Sequence, residues 1–339
     1  MSSSPVIVRG VAIGSPVNSQ TSSRPASTSS QYPSPGVSNA AGAPAKPPPL
    51  RRQSTHAAQA LGPRGYPPGL SNMLAESIVS FPVRFVIVDN SGSMNAPDGE
   101  RLVRDSRGVT HQVPSTRWQE LGDVIIELAE TAQALSARTD FHLLNPSVEG
   151  QYISVGGTGA GAGPAVGQVA APADFAAMKK VMACSPGGTT PLTESVVAIC
   201  SLIEPAVDAL KAHGQRVVVC LATDGLPNQP ESFLKALLAL QKLPVWIVIR
   251  LCTNDEGVVG YWNDLDAQLE APLEVLDDVS GEADEVCAFN PWLSYAPQLH
   301  LARTMGLHDK VFDLLDEEKL LPSQVSPHST RPSTRPCSS

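Results

Sequence analysis

The chain has 339 residues, 42 % hydrophobic and 17 % charged, enough for one large folded domain or two modest ones. Its charges are unevenly placed: residues 1–75 hold six basic residues and no acidic one, so the remainder carries 18 basic against 33 acidic residues, a net of −15. A body that acidic repels phosphate, which argues against nucleic acid as a partner and suits a divalent cation.

Residues 1–75 are rich in Ser, Pro, Ala and Gly, and that composition predicts a disordered basic tail. The same holds for 323–339, "SQVSPHSTRPSTRPCSS". The six cysteines, at 184, 200, 220, 252, 287 and 337, form no Cys-x-x-Cys pair and several sit in apolar runs, so they are expected to be free, mostly buried thiols. "MSSSPVIVRG" lacks a signal-peptide core, and the longest strongly apolar run, "LPVWIVIRL", is too short to span a bilayer. The expectation is an intracellular, cytoplasmic protein with no membrane partner.

Between the tails the pattern alternates. "VRFVIV" (83–88) reads as a buried strand, and "RLVRDSRGVTHQV" as a hairpin turning near Ser106-Arg107-Gly108. Trp118, Leu121, Ile125, Leu128, Ala132 and Leu135 alternate steps of three and four and predict a helix, with Thr116 and Gln119 as its capping box. "DFHLLN" (140–145) and "QYISVG" (151–156) read as strands, the second running into a glycine-rich loop over 156–171. "ADFAAMKKVMAC" reads as a helix, and 191–213 as a longer one bent near Pro205. "RVVVCLAT" (216–223) and "PVWIVIRLCT" (244–253) are strands around the helix "PESFLKALLALQ"; "GYWNDLDAQLE" and "LEVLDDV" add a helix and a strand, and two short helices are expected near 295–306 and 309–320. Strands alternating with helices, several continuously apolar, predict an α/β fold: a doubly wound, mostly parallel sheet with helices on both faces. Such a sheet binds ligands outside the carboxyl ends of its strands.

Three stretches fall at those ends. The first strand runs into Asp89-Asn90-Ser91-Gly92-Ser93, the strand at 216–223 into Asp224-Gly225, and "SPGGTTPLTES" places Thr189 and Thr190 before the long helix. Each has a local explanation: a strand-ending turn, an N-cap by Thr190 with Pro191 at the first helical position, a tight turn. Together they assemble two carboxylates and three hydroxyls, hard oxygen ligands that suit Mg²⁺ and suit zinc badly.

Asp89-x-Ser91-x-Ser93, then the threonine of Gly-Gly-Thr-Thr-Pro, then Thr-Asp224-Gly resembles the metal-ion-dependent adhesion site of the von Willebrand factor type A domain family. The order of predicted elements over roughly 80–280 runs the same way. The resemblance implies a Rossmann-like fold, a bound Mg²⁺ or Mn²⁺, and a protein partner that supplies an Asp or Glu carboxylate to the metal. It also implies metal ligation by Ser91 and Ser93 directly, by Asp89 and Asp224 directly or through water, and by Thr190, with Thr189 the rival one register away. It further implies recognition without turnover, so no enzyme. Three departures stand out: the insert between Ser93 and Trp118, the glycine-rich loop, and "NPWLSYAPQLHLARTMGLHDKVFDLL" after the usual domain end. With them the chain looks closer to the intracellular branch of that family than to its extracellular adhesion members. The expected layout is a tail over 1–75, a type A domain over 76–290, a helical extension packed on it over 291–322, and a tail over 323–339.

The rival readings are a phosphoryl-transfer enzyme and a scaffold acting through its tails with a vestigial site. An Asp-x-Asp phosphotransferase needs a second acid where this chain has Ser91, and "NSGSM" does not fit a serine-hydrolase elbow. "GGTGAGAGP" opens no helix that would hold a pyrophosphate. Trp246, Trp262 and Trp292 read as packing residues, and His300 and His308 as surface or capping residues.

Overall fold

The computed structural model describes residues 50–105, 110–157, 166, 175–253, 255–269, 273–321 and 324. The expected disorder of 1–49 and of 325–339, the hairpin turn at 106–109 and most of the glycine-rich loop lie outside these residues.

In chain order the elements are α1 (Leu50–Leu61), α2 (Pro68–Ser80), β1 (Arg84–Val88), β2 (Gly99–Arg104), β3 (Thr110–Ser115), α3 (Arg117–Leu135), β4 (Thr139–Ser147), β5 (Gly150–Val155), α4 (Phe175–Met182), α5 (Leu192–Ile203), α6 (Val207–Ala212), β6 (Val217–Thr223), α7 (Pro230–Gln241), β7 (Val245–Leu251), α8 (Glu256–Gln268), β8 (Glu274–Leu276), α9 (Val279–Phe289), α10 (Pro297–Thr304) and α11 (Lys310–Asp313). Six strands form one sheet in the order β5-β4-β1-β6-β7-β8, parallel except for β5 at its edge. Counting only these strands, the order is 3-2-1-4-5-6, that of a doubly wound Rossmann-like sheet. β2 and β3 pair separately as an antiparallel hairpin.

The strands read as unbroken apolar runs because both faces are covered. Val86 and Val88 of β1 face the layer of α1, α2, α3, α4, α9 and α10, while Phe85 and Ile87 face α5 to α8. α3 forms as its spacing dictates. Trp118, Leu121, Ile125, Leu128 and Ala132 are buried, and Gln119 N–H donates to Thr116 Oγ1 at 3.2 Å while Thr116 N–H donates to Gln119 Oε1 at 3.1 Å. The 191–213 helix breaks into α5 and α6 around a 3₁₀ turn at Glu204–Ala206, where Pro205 has no N–H to offer the ladder.

Two sequence expectations are overturned here. The first is the boundary of the N-terminal tail. Within 50–75 lie α1, a 3₁₀ turn at Gly62–Arg64 and the start of α2, and Leu61, Tyr66, Leu70 and Leu74 lie in the same core as β1. Averaged over 75 residues, the Ser/Pro/Ala composition hides these few apolar positions, which are enough to anchor two short helices once the sheet offers a surface. The second is His300, which is 1 % exposed rather than at the surface. α9 was not anticipated at all; its only buried apolar side chain is Val286, so it carries little amphipathic signal. Trp246 and Trp262 are core residues, whereas Trp292 is 44 % exposed and donates through its ring N–H to the Leu320 carbonyl. Among the described cysteines, all free, Cys200, Cys220 and Cys252 are buried, Cys184 is half-buried and Cys287 exposed.

Two buried arginines tie the flanking helices to the sheet. Arg84, 1 % exposed, donates to the Met305 carbonyl (3.0 Å), the Phe81 carbonyl (3.1 Å) and Ser77 Oγ (2.9 Å). Burial lowers its pKa to about 10, since all three acceptors are neutral. Arg303 of α10 pairs with Glu274 of β8 and Glu282 of α9, each at 2.6 Å.

Candidate metal centre

In the strand order above, the direction of winding reverses between β1 and β6, which is where such sheets open their ligand crevice. β1 ends at Val88 and β6 at Thr223, so Asp89 and Asp224 leave neighbouring strands at the crevice. Asp89 N–H still donates to the Ala222 carbonyl at 2.9 Å, holding the two exits in register.

Past Asp89 the chain turns through an extended Ser91 into a 3₁₀ turn at Gly92–Asn95. Asp89 Oδ1 accepts from the Ser91 N–H (2.9 Å) and Oδ2 from the Thr223 hydroxyl (2.7 Å). Ser93 Oγ donates to Asp224 Oδ1 at 2.9 Å, which uses its only proton, so the 2.9 Å contact between the two serine hydroxyls has Ser91 as donor. Ser91, Ser93 and Asp224 thus form one chain of oxygens, joined to Asp89 through the Ser91 N–H. Asp89, Ser91 and Asp224 are buried, while Ser93 is exposed at the mouth.

The loop before α5 is held against this chain by its backbone. Gly92 N–H donates to the Gly188 carbonyl (3.2 Å) and Gly187 N–H to the Asn90 carbonyl (2.8 Å). Gly188 has φ +99, and a Cβ there would strike the Asn145 amide, so only glycine serves at this position. Thr190 is in the adjoining loop, where its carbonyl accepts from Asn228 Nδ2 at 3.1 Å. The alternative reading of Thr190 as an N-cap does not hold: α5 starts at Leu192 after Pro191, with no side-chain cap. Thr189 is bound through its backbone to the Asn145 side chain, at 2.8 Å from its carbonyl and 3.3 Å from its N–H.

Three residues of the centre were missed in the sequence. Asn90 and Asn145 clasp each other, Asn145 N–H donating to Asn90 Oδ1 (2.8 Å) and Asn90 Nδ2 to the Asn145 carbonyl (2.9 Å). The third is Arg117. It donates to Asp224 Oδ2 at 3.0 Å and to both carboxylate oxygens of Asp98, at 2.7 and 2.5 Å. The bonds to Asp98 first, then to Asp224, hold it firmly protonated, and it in turn lowers the Asp98 pKa. A signal was available: an arginine in the first turn of a helix opposes the helix dipole and needs nearby acids to hold it.

Asp89 has no such partner. Burial pushes its carboxyl above the usual range, against the hydrogen bonds from Ser91 and Thr223, and the ion pairs of the centre go to Asp224 and Asp98 instead. A buried carboxylate without a cation is unfavourable, and a divalent ion would answer it. The donor set, carboxylate and hydroxyl oxygens, is of the kind that suits a hard divalent cation. Among the described residues no group of three or more His, Cys, Asp or Glu side chains forms a metal cage, so such an ion would lean on hydroxyls and water.

No family model and no curated protein matches the chain. Among solved structures it is similar to the crystal structure of manganese-loaded TRAP protein of Plasmodium vivax, at 12 % identity over 59 % of this chain and 69 % of that one, with a TM-score of 0.32. So loose a superposition leaves the fold resting on strand order and register: a doubly wound, Rossmann-like α/β domain.

Proposed function

We propose that the chain is a divalent-cation-dependent protein-binding module of the type A kind. Asp89, Ser91, Ser93, Thr190 and Asp224 hold Mg²⁺ or Mn²⁺, which supplies a Lewis-acid contact for an Asp or Glu carboxylate of a protein partner, without turnover. The observation that carries this reading is the hydrogen-bonded chain from Asp89 through the Ser91 N–H and the two serine hydroxyls to Asp224 at the switch point of the sheet, with Asp89 buried and without an ion pair. The net of −15 beyond residue 75 favours protein over nucleic acid as the partner. Among the described residues no helix is long and apolar enough to cross a membrane.

Calorimetric titration of Mg²⁺ and Mn²⁺ into the full chain, beside Asp224→Ala, tests it. Saturable binding lost in the variant is the expected result; equal behaviour of the two proteins sinks the metal centre.

One observation favours a second reading. The Arg117 guanidinium already neutralises Asp224, so the crevice could be closed by protein charge alone, with partners bound elsewhere on the chain. Partner capture insensitive to chelator would select this reading over the first.

A further inference from the structure

A cleft of about 510 Å³ opens between α3, β2, the start of α9 and the start of α10. It is distinct from the oxygen chain of Asp89 and Asp224, although the first turn of α3 serves both, Arg117 reaching one and Glu120 the other. Its walls include Leu102, Val124, Val279 and Leu301, and its size is that of small-molecule sites, about 300–1,000 Å³.

Arg250 lines the cleft and is 1 % exposed. Its Nη1 donates to Nε2 of His300, and its Nε has no partner. Burial and the guanidinia of Arg250 and Arg303 keep His300 neutral, with its proton on Nδ1 towards the Tyr295 hydroxyl at 3.1 Å, so His300 offers Arg250 a lone pair but no charge. Among the described residues the arginine ion pairs engage Arg64, Arg101, Arg117, Arg138 and Arg303, but not Arg250. Of the other charges around the cleft, Glu100 is exposed and accepts from the Gln112 amide, and the rest are engaged. Arg101 grips Asp123 at 2.6 and 2.8 Å, Arg64 pairs with Glu127, and Asp278 caps α9. Glu120 remains: it accepts the Glu100 N–H at 2.9 Å, and partial burial raises its carboxyl above the ordinary range against that bond and the attraction of Arg250, with which it forms no ion pair. The cleft is thus lined by a buried arginine and a half-buried acid that form no ion pair with each other, beside the apolar side chains of Leu102, Val124 and Leu301.

We propose that this cleft binds an apolar α-amino acid, its carboxylate on Arg250, its ammonium on Glu120 and its side chain against Leu102, Val124 and Leu301. The ligand supplies both missing counter-charges at once, and a guanidinium with a free Nε is well shaped for a carboxylate. A phosphate would meet Glu100, Glu120, Asp123 and Asp278 around a single free arginine. A simple carboxylate would leave Glu120 uncompensated.

The test is calorimetric titration of the full chain with L-leucine, L-phenylalanine and L-tryptophan, beside 3-phenylpropionate, 2-phenylethylamine and inorganic phosphate. At least one amino acid should bind saturably, with phosphate and the one-charge analogues at least tenfold weaker. Arg250→Met should abolish that binding. Leu102→Trp, at a position 41 % exposed, fills the cleft without disturbing the core and should weaken binding at least tenfold with an unchanged circular dichroism spectrum. If Arg250→Met does not fold, Glu120→Gln and Leu102→Trp decide. Failure of all three amino acids to bind overturns the proposal. So does equal binding of phosphate or 3-phenylpropionate, or wild-type affinity in the folded variants.

Discussion

Arg117 and Asp224, 107 residues apart in the chain, meet at 3.0 Å, placing a fixed positive charge at the mouth of a crevice otherwise built of oxygens. The guanidinium offsets one of two buried carboxylates and leaves Asp89 to whatever cation arrives. It also opposes that cation: two unit charges 4 Å apart repel by about 4 kcal/mol at an effective dielectric near 20. Arg117→Met should therefore tighten Mg²⁺ binding by more than about tenfold, read by titration calorimetry at constant ionic strength. Absence of Mg²⁺ binding in both proteins would mark the oxygen chain as a structural brace.

The Arg303 triad lies deep in the protein, with all three side chains nearly inaccessible. Arg303→Met leaves Glu274 and Glu282 buried and uncompensated, and should lower unfolding free energy by about 3–5 kcal/mol in denaturant titration. Adding Glu274→Gln and Glu282→Gln should recover most of that loss. A single variant within about 0.5 kcal/mol of wild type would show that the triad contributes no net stability.

Asp277 gives the pH dependence a sign. Burial, and then the carboxylates of Glu282 and Asp278, raise its pKa from 3.8 to about 6. Folding thus favours its protonated form, so its contribution is complete below the unfolded value and is lost as pH rises through about 6. Asp277→Asn should be more stable than wild type at pH 8, by roughly 1 kcal/mol once partial exposure is discounted, and should lose that advantage near pH 4. Melting curves across this range check it; a constant difference would remove titration of Asp277 as the cause.

Leu74 of α2 is 0 % exposed and belongs to the core of the sheet. If α1 and α2 are integral to the domain, Leu74→Ala should lower stability by about 2–5 kcal/mol, the range for a buried leucine. A negligible change in denaturant midpoint would mean that these helices are held only at the surface.

The strands were legible because burial on both faces leaves unbroken apolar runs, and α3 because its stagger and its Thr116–Gln119 cap agree. The approach of Asp89, Ser91, Ser93 and Asp224 was legible because loops at the carboxyl ends of adjacent parallel strands are carried to one crevice. Interactions between residues with no periodic or local signature were not. Arg117 finds Asp224, and Arg250 finds His300 fifty residues later, only once the sheet has brought them together. The helices of 50–80 were hidden for a related reason: a few well-placed leucines decide burial there, whatever the average composition around them.

Arg84 lies in the first strand of the sheet, yet one of its acceptors is the Met305 carbonyl, 221 residues later. During synthesis at about 5–20 residues per second, that carbonyl follows roughly 10–40 s behind. Until it arrives, the guanidinium has its Phe81 and Ser77 acceptors but an unfilled position at Nε. The last helices thus complete the burial of a charge set in the first strand, and a chain stalled before Met305 would leave that position of the guanidinium without its native acceptor.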